Sequence, residues 1–303
     1  MWLVRATINV VHYGRRAGFR LALLSVLSAV PSQAEPVDAL RIEAVARALQ
    51  PGELVLLTIT AAAATDPPTV RALGRLVPVT PAAPRVWRAL VGIDLTVKPG
   101  SYSATATARA GGATVTARHP LQIMPKTFAT RTLSVDPAFV EPPVAELPRI
   151  QREAARLREL WTMSGPAARW AGAFIRPVPD EANSRFGSRS IFNGKPRSPH
   201  TGADFSSPAG RPVKAPNTGR VILAEPLYFS GNTVVIDHGL GLFSLFAHLS
   251  ALDVSDGVDV ESGAVIGRVG ATGRVTGPHL HWAVRVGGAR IDPLSLLAVL
   301  GGS

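Results

Sequence analysis

The chain has 303 residues, of which 46% are hydrophobic and 17% charged, and its formal net charge is +11. That balance excludes a long disordered or coiled-coil protein, and 28 glycines with 26 prolines favour turns and short strands over long helices. With no cysteine there is no disulfide framework, no thiolate zinc site and no cysteine nucleophile, which leaves His, Asp and Glu as metal ligands. Four of the positive charges (Arg5, Arg15, Arg16 and Arg20) precede residue 35, where no acid occurs, so the remainder carries +7. A basic surface suits nucleic acid, a membrane surface or an anionic envelope, and charge alone does not choose among them.

In chain order, the basic start leads into the apolar run Leu21–Val30, followed by Pro31 and Ser32-Gln33-Ala34. This reads as a signal peptide over residues 1–34, with Glu35 as the mature start. A run of about ten residues is too short to span a bilayer core of roughly 30 Å, and no later segment is long and apolar enough. The expectation is export to the periplasm or cell envelope, with no stable transmembrane segment after cleavage. Nucleic acid is then not an expected partner, and no protein partner is readable.

Residues 35–126 read as an immunoglobulin-like β sandwich. In Ser101–Arg109 the residues Tyr102, Ala104, Ala106 and Ala108 share one face, and alternation resumes at Ala113, Val115 and Ala117 after Gly111-Gly112. That is a hairpin, with the glycines supplying the positive φ of a tight turn. Further strands are expected at Leu54–Thr60, Val86–Val97 and Leu121–Met124. His119, near the end of the hairpin, reads as an ordinary exposed histidine. Residues 127–162 read as a linker and connecting helix that starts near Glu146–Leu147, since Pro148 fits only a first turn. Leu147, Ile150, Ala154, Leu157 and Trp161 form its apolar stripe, while Arg149, Arg152, Glu153, Arg156 and Glu159 form a solvated face. Residues 163–303 read as a second β-rich domain, with strands at Gly219–Ala224, Thr233–Ile236, Leu242–Ala247, Ile266–Val269 and Leu280–Val286 and a helix over Pro293–Leu300.

Five of the seven histidines lie between positions 200 and 281. His200 and Asp204 form an H-x-x-x-D spacing and His279 and His281 an H-x-H spacing, while His248 follows a strand-like run. On a strand, His279 and His281 share a face. His200, Asp204 and one histidine of the pair make a two-nitrogen, one-oxygen set suited to Zn²⁺ with an open fourth position, as in a catalytic site. The other histidine of the pair and His248 remain for work on substrate. No H-E-x-x-H occurs in the sequence.

The motifs Ser184-Arg185-Phe186-Gly187-Ser188-Arg189, His200–Asp204, Phe246-Ala247-His248-Leu249-Ser250 and Gly270-Ala271-Thr272-Gly273 with Gly277-Pro278-His279-Leu280-His281-Trp282 occur in this order. Together they resemble the lysostaphin-type zinc endopeptidases of bacterial cell walls over residues 174–298. The resemblance implies a mainly β protein whose C-terminal antiparallel β-sheet carries a groove with metal at its floor. It implies His200, Asp204 and His281 as zinc ligands, His248 and His279 as the unliganded catalytic pair, and the peptide cross-links of peptidoglycan as substrate. His238 matches no catalytic position and reads as a turn or support residue. Phe246 stands where many relatives have Tyr. No Tyr lies between Ile191 and His200, where some relatives carry one; Asn193 is the substitute expected to support the oxyanion or substrate. The competing reading is a catalytically inactive relative that binds the wall or activates another hydrolase. The two-part layout also raises the possibility that the first domain and helix cover the groove.

Overall fold

The computed structural model describes residues 39–133, 141–182 and 185–302. The expected signal segment 1–34 and Ser184 of the first motif therefore lie outside the described residues.

Eight strands open the fold: β1 (Leu40–Ala46), β2 (Leu54–Ala61), β3 (Thr69–Ala72), β4 (Arg75–Val77), β5 (Val79–Ala83), β6 (Val86–Gly92), β7 (Gly100–Ala110) and β8 (Ala113–Ile123). They build two four-stranded sheets, ordered β1-β2-β6-β5 and β4-β3-β7-β8. Both sheets contribute to one core, the first through Ile42, Leu57 and Trp87, the second through Val70, Ala106 and Leu121. The hairpin turns on Gly111 and Gly112 at φ 55° and 85°, the left-handed pair that a two-residue turn needs. Two expected boundaries differ. β6 ends at Gly92 rather than Val97, because Asp94 accepts from the backbone and hydroxyl of Thr96 and turns the chain. Leu121–Ile123 belongs to the long β8 and forms no separate strand.

After β9 (Thr130–Leu133) comes α1 (Leu147–Leu160), with proline in its first turn. Leu157, Leu160 and Trp161 pack on Leu223, Leu227 and Val235 of the second β region. The buried anchor is Leu160, outside the expected stripe, whereas Leu147 is exposed. Nor is the charged face simply solvated. Arg156 pairs with Glu225 and Asp256, and Glu153 accepts from the Tyr228 amide.

The remaining strands are β10 (Arg189–Phe192), β11 (Lys195–Pro196), β12 (Gly202–Phe205), β13 (Pro212–Lys214), β14 (Gly219–Leu227), β15 (Gly231–Gly239), β16 (Leu242–Leu252), β17 (Asp259–Val260), β18 (Val265–Val269), β19 (Leu280–Val286) and β20 (Ala289–Ile291), and α2 (Pro293–Leu300) closes the chain. Nine of them form one sheet around the path β12-β19-β16-β15-β14-β17, and every pairing within it is antiparallel. Strict alternation organises β19. Leu280, Trp282, Val284 and Val286 are buried, while His281, Ala283 and Arg285 face the other side. Trp282 stacks on Phe246 at 6.3 Å, so that phenylalanine is a fully buried packing ring.

Buried ion pairs tie the sandwich to the second region. Arg47 bridges Glu53 (2.8 and 3.0 Å) and Asp292 (2.6 Å), and Lys126 adds a bond to Glu53. Asp292 also caps α2 by accepting from the Leu294 amide. Nearby, Asp94 takes Arg290 in a two-pronged pair at 2.7 and 2.9 Å. No helix among the described residues is long and apolar enough to cross a membrane.

Candidate metal centre and cleft

Asp204 on β12 and His281 on β19 are direct cross-strand partners, so register alone sets their side chains together on one face. His200 reaches the same point from the loop before β12. The Asp204 Oδ1 lies 2.9 Å from His200 Nε2 and 2.9 Å from His281 Nδ1, and the two nitrogens are 3.1 Å apart. Gly202 makes room for this. A Cβ there would stand 2.7 Å from the His281 ring and 2.5 Å from the Trp282 carbonyl oxygen.

Burial opposes charge on Asp204, but hydrogen bonds from His200 and His281, with their charges, outweigh it and hold the carboxyl well below its usual range. Burial pushes the His281 imidazole down. If both ring nitrogens donate to this one carboxylate oxygen, their two N–H groups crowd each other across 3.1 Å. A cation satisfies all three. Two nitrogens and one oxygen within 4.8 Å therefore fit a divalent metal of the zinc type with a position left open.

His248 and His279 lie beside this cluster, their rings 4.9 Å apart, with His248 6.0 Å from the His281 ring. Each is fixed through Nδ1, His248 on the Thr272 carbonyl and His279 on the Gly277 carbonyl, both at 2.9 Å. Because a carbonyl only accepts, Nδ1–H is the donor in both, and Nε2 is left for the cleft. The His279 Nε2 stands 3.8 Å from Asp204 Oδ1. Burial, with the His281 charge adding to it, pushes the His248 imidazole down to about 4.

His248 is aimed by an irregularity that alternation does not foresee. Ala247 pairs across from His281 and lines the cleft, so an unbroken strand would turn His248 to the opposite face. Between the pairs Val234↔Phe246 and Asn232↔Leu249, β16 carries one more residue than β15, a β-bulge. His248 takes φ 65° within it, and both Ala247 and His248 then face the cleft. Such a backbone costs a non-glycine residue about 1–2 kcal/mol. Thr272, whose carbonyl accepts the His248 Nδ1–H, is itself held through Oγ1, which donates to the Leu249 carbonyl and accepts from the Asn232 backbone amide.

The structure thus gathers His200, Asp204, His248, His279 and His281 along one cavity of about 700 Å³. Asn193 is not among its lining residues. With Gly194 it makes the turn between β10 and β11 at φ 49° and 77°, and this left-handed geometry accounts for the Asn-Gly pair. His238 is buried in the core, donating Nδ1–H to the Thr218 carbonyl and accepting from Ser244. His119 sits on β8, away from the cavity. The sandwich contributes no lining residue, while α1 and its cap contribute Ala154, Leu157, Arg158 and Trp161 to one wall. The helix borders the groove and leaves this volume open. Sequence reasoning missed Gly202, Thr272 and two cleft arginines, Arg274 and Arg285. Arg285 was findable, because period 2 from His281 puts it on the same face.

Residues 198–293 match the sequence pattern of peptidase family M23. A solved structure from Pseudomonas aeruginosa carrying the M23 peptidase name is 33% identical, covers 84% of this chain and 96% of its own, and superposes with a TM-score of 0.63. Among curated proteins, "DD-carboxypeptidase/endopeptidase Mpg" of Neisseria meningitidis is 44% identical over 97 residues, and "Peptidoglycan DD-endopeptidase ShyA" of Vibrio cholerae 42% over 96. Each alignment covers 32% of this chain and 22% of the relative, so the chain spans about a fifth of the length of these curated relatives.

Proposed function

The chain belongs to peptidase family M23, and on that footing we propose that it is a zinc-dependent endopeptidase that hydrolyses peptide cross-links of bacterial peptidoglycan in the cell envelope. The observation that carries this reading is the convergence of His200, Asp204 and His281 beside two further histidines, each pinned through Nδ1 with Nε2 turned to the cleft. His200, Asp204 and His281 would hold the zinc. Bound there, zinc supplies a positive charge that acidifies a water and draws electron density from the scissile carbonyl.

The rest is the work of the chain's own side chains. His248 is neutral at working pH and presents an unprotonated Nε2, so it takes the proton of the attacking water. His279, with a second N–H on Nε2, donates a hydrogen bond to the oxygen that gains charge, and the proton that His248 took from the water passes to the leaving amine. The cleft floor is made of strand faces, with Leu245, Ala247 and Ala283 beside the histidines, a surface on which an extended peptide can lie. The curated relatives' names include DD-peptidase activity, so a cross-link between D-configured centres is the bond to test first. The basic remainder of the chain and the leader-like N-terminus suit an exported protein working against an anionic wall.

The test is the soluble muropeptide profile of intact peptidoglycan after incubation with the purified protein, with chelator and with zinc restored. Cross-linked dimers should fall and monomers rise, with the effect abolished by chelator and recovered by zinc. Unchanged dimers from zinc-loaded protein would overturn the reading in favour of an inactive wall-binding relative.

A further inference from the structure

The cleft has an electrostatic character that hydrolysis itself does not require. Asp204 is the only carboxylate among its described lining residues, and it is engaged by His200 and His281. Three arginines line the same cavity: Arg158, Arg274 and Arg285. Four guanidinium groups elsewhere find acids, those of Arg47, Arg156, Arg211 and Arg290, whereas those of Arg71 and Arg88, both exposed, pair with no described acid. Arg274 and Arg285 form no ion pair with any described residue. Each lies instead against an aromatic ring, Arg274 at 4.3 Å from Phe229 and Arg285 at 4.9 Å from Trp161. A guanidinium stacked in this way keeps its in-plane N–H groups for a planar acceptor.

Arg285 is the more telling of the two. It pairs directly across from Arg290 on β20, a like-charge juxtaposition that destabilises a sheet. Asp94 neutralises Arg290 with both oxygens and leaves Arg285 with one long bond to the Gly288 carbonyl at 3.3 Å. Packing alone gives no reason to keep a half-buried positive charge at this position.

We propose that Arg274 and Arg285 are carboxylate-recognising residues of the cleft, which make the enzyme selective for cross-link peptides bearing free carboxylates over the same peptides with carboxamides. This rests on the endopeptidase reading and names the substrate class of that same site. Arg285 lies four residues along β19 from His281, about 13 Å at strand rise. It therefore meets a carboxylate some four residues of extended peptide from the metal cluster. Arg274 belongs to the segment between Thr272 and His279, and takes a carboxylate closer to the catalytic histidines.

The experiment uses the full chain and two synthetic cross-linked peptides of identical sequence, one with free stem carboxylates and one with carboxamides. We expect kcat/KM to favour the acid roughly tenfold or more, the scale of one charge-assisted hydrogen bond. Arg285→Gln and Arg274→Gln should each move that ratio toward one, Arg285→Lys should keep part of it, and Arg71→Gln on the exposed face of the sandwich should preserve it. Equal rates on the two peptides with the wild-type chain, or an unchanged ratio in both Gln variants, would overturn the proposal. Arg274 is on an exposed loop, so its variant reports even if Arg285→Gln folds poorly. Should neither peptide be cleaved, the endopeptidase reading fails separately. Fluorescence anisotropy of the same labelled peptides then decides recognition: tighter binding of the acid that is lost in the Gln variants supports it, and equal Kd overturns it.

Discussion

The N-terminal sandwich and the C-terminal sheet both alternate side chains along their strands, but their departures from good packing are distributed differently. In the sandwich, Ala104, Ala106 and Ala108 face inward from β7, and the non-glycine residues at positive φ, Leu73 and Arg85, sit in turns. In the C-terminal sheet, His248 takes φ 65° within a strand. The His200 Nδ1 is buried with no hydrogen-bond partner, and Arg285 faces Arg290 across a strand pair. These three irregularities gather at one cavity. Thr65 Oγ1 in the sandwich and Trp282 Nε1 in the core are also buried without a partner, so what sets the cavity apart is that a strained backbone, an unpaired ring nitrogen and facing like charges converge on it. The same alternation therefore serves packing in one region and aiming in the other.

The strongest way to break this comparison is to remove an aimed group and ask whether the fold notices. His248→Ala should lower kcat by roughly 10²–10⁴-fold, the usual contribution of a general base. Bound zinc, measured by elemental analysis, should be retained, since His248 is outside the ligand cluster. Loss of metal together with activity would place His248 in the wrong role.

Arg47→Ala tests the opposite kind of residue. It leaves Glu53 and Asp292, whose side chains are 3% and 8% exposed, without their shared cation. Unfolding free energy should fall by on the order of 3 kcal/mol, nearer the low end for breaking a buried pair because Arg47 itself is a third exposed to water. Urea denaturation measures it, and a change below about 0.5 kcal/mol would mean the two regions do not rely on this junction.

A pH effect of similar size separates the two kinds of histidine. Complete burial holds His238 at about 4, below the unfolded value of about 6.5. The folded state keeps the ring neutral while the unfolded chain protonates it. Its stabilising contribution is therefore complete above about 6.5 and is lost as pH falls from there through about 4, amounting to a few kcal/mol. Thermal melts between pH 8 and 4.5 should show the decline in the wild type and a shallower slope in His238→Gln. Equal slopes would assign the decline to other groups, among them His248, His281 and the paired carboxylates.

The smallest effect belongs to the sandwich. Gly112→Ala, at φ 85°, should cost about 1 kcal/mol and leave hydrolysis unchanged, because the hairpin tip is not part of the cavity. A clear loss of activity in this variant would mean that the sandwich takes part in turnover.

Much of the architecture was legible because it depends on neighbours in sequence. Period 2 located β7, short apolar runs between turn residues located β16 and β19, the glycine pair located the hairpin, and Pro148 located the start of α1. The spacings H-x-x-x-D and H-x-H pointed to a metal site because two residues of opposite strands need only matching register to meet, as Asp204 and His281 do. Where reading by alternation was insufficient, a distant element intervened. Leu160 became the helix anchor because the sheet presented Leu223 and Leu227 to it. Asn193 reads from the sequence as oxyanion or substrate support, and the turn it forms with Gly194 lies outside the cavity lining.

By itself, then, the sequence determined the β-rich texture, the positions of the helices and the candidate ligands, since sterics and hydrophobic periodicity act within a few residues. Only the tertiary structure decided that a bulge turns His248 into the cleft, and that Arg47 joins Glu53 to Asp292 some 245 positions away. It also decided that Asp94 takes Arg290 and leaves Arg285 against Trp161. Pairing register and charge partnership are set by which surfaces the whole chain brings together, and no local window of sequence contains both partners.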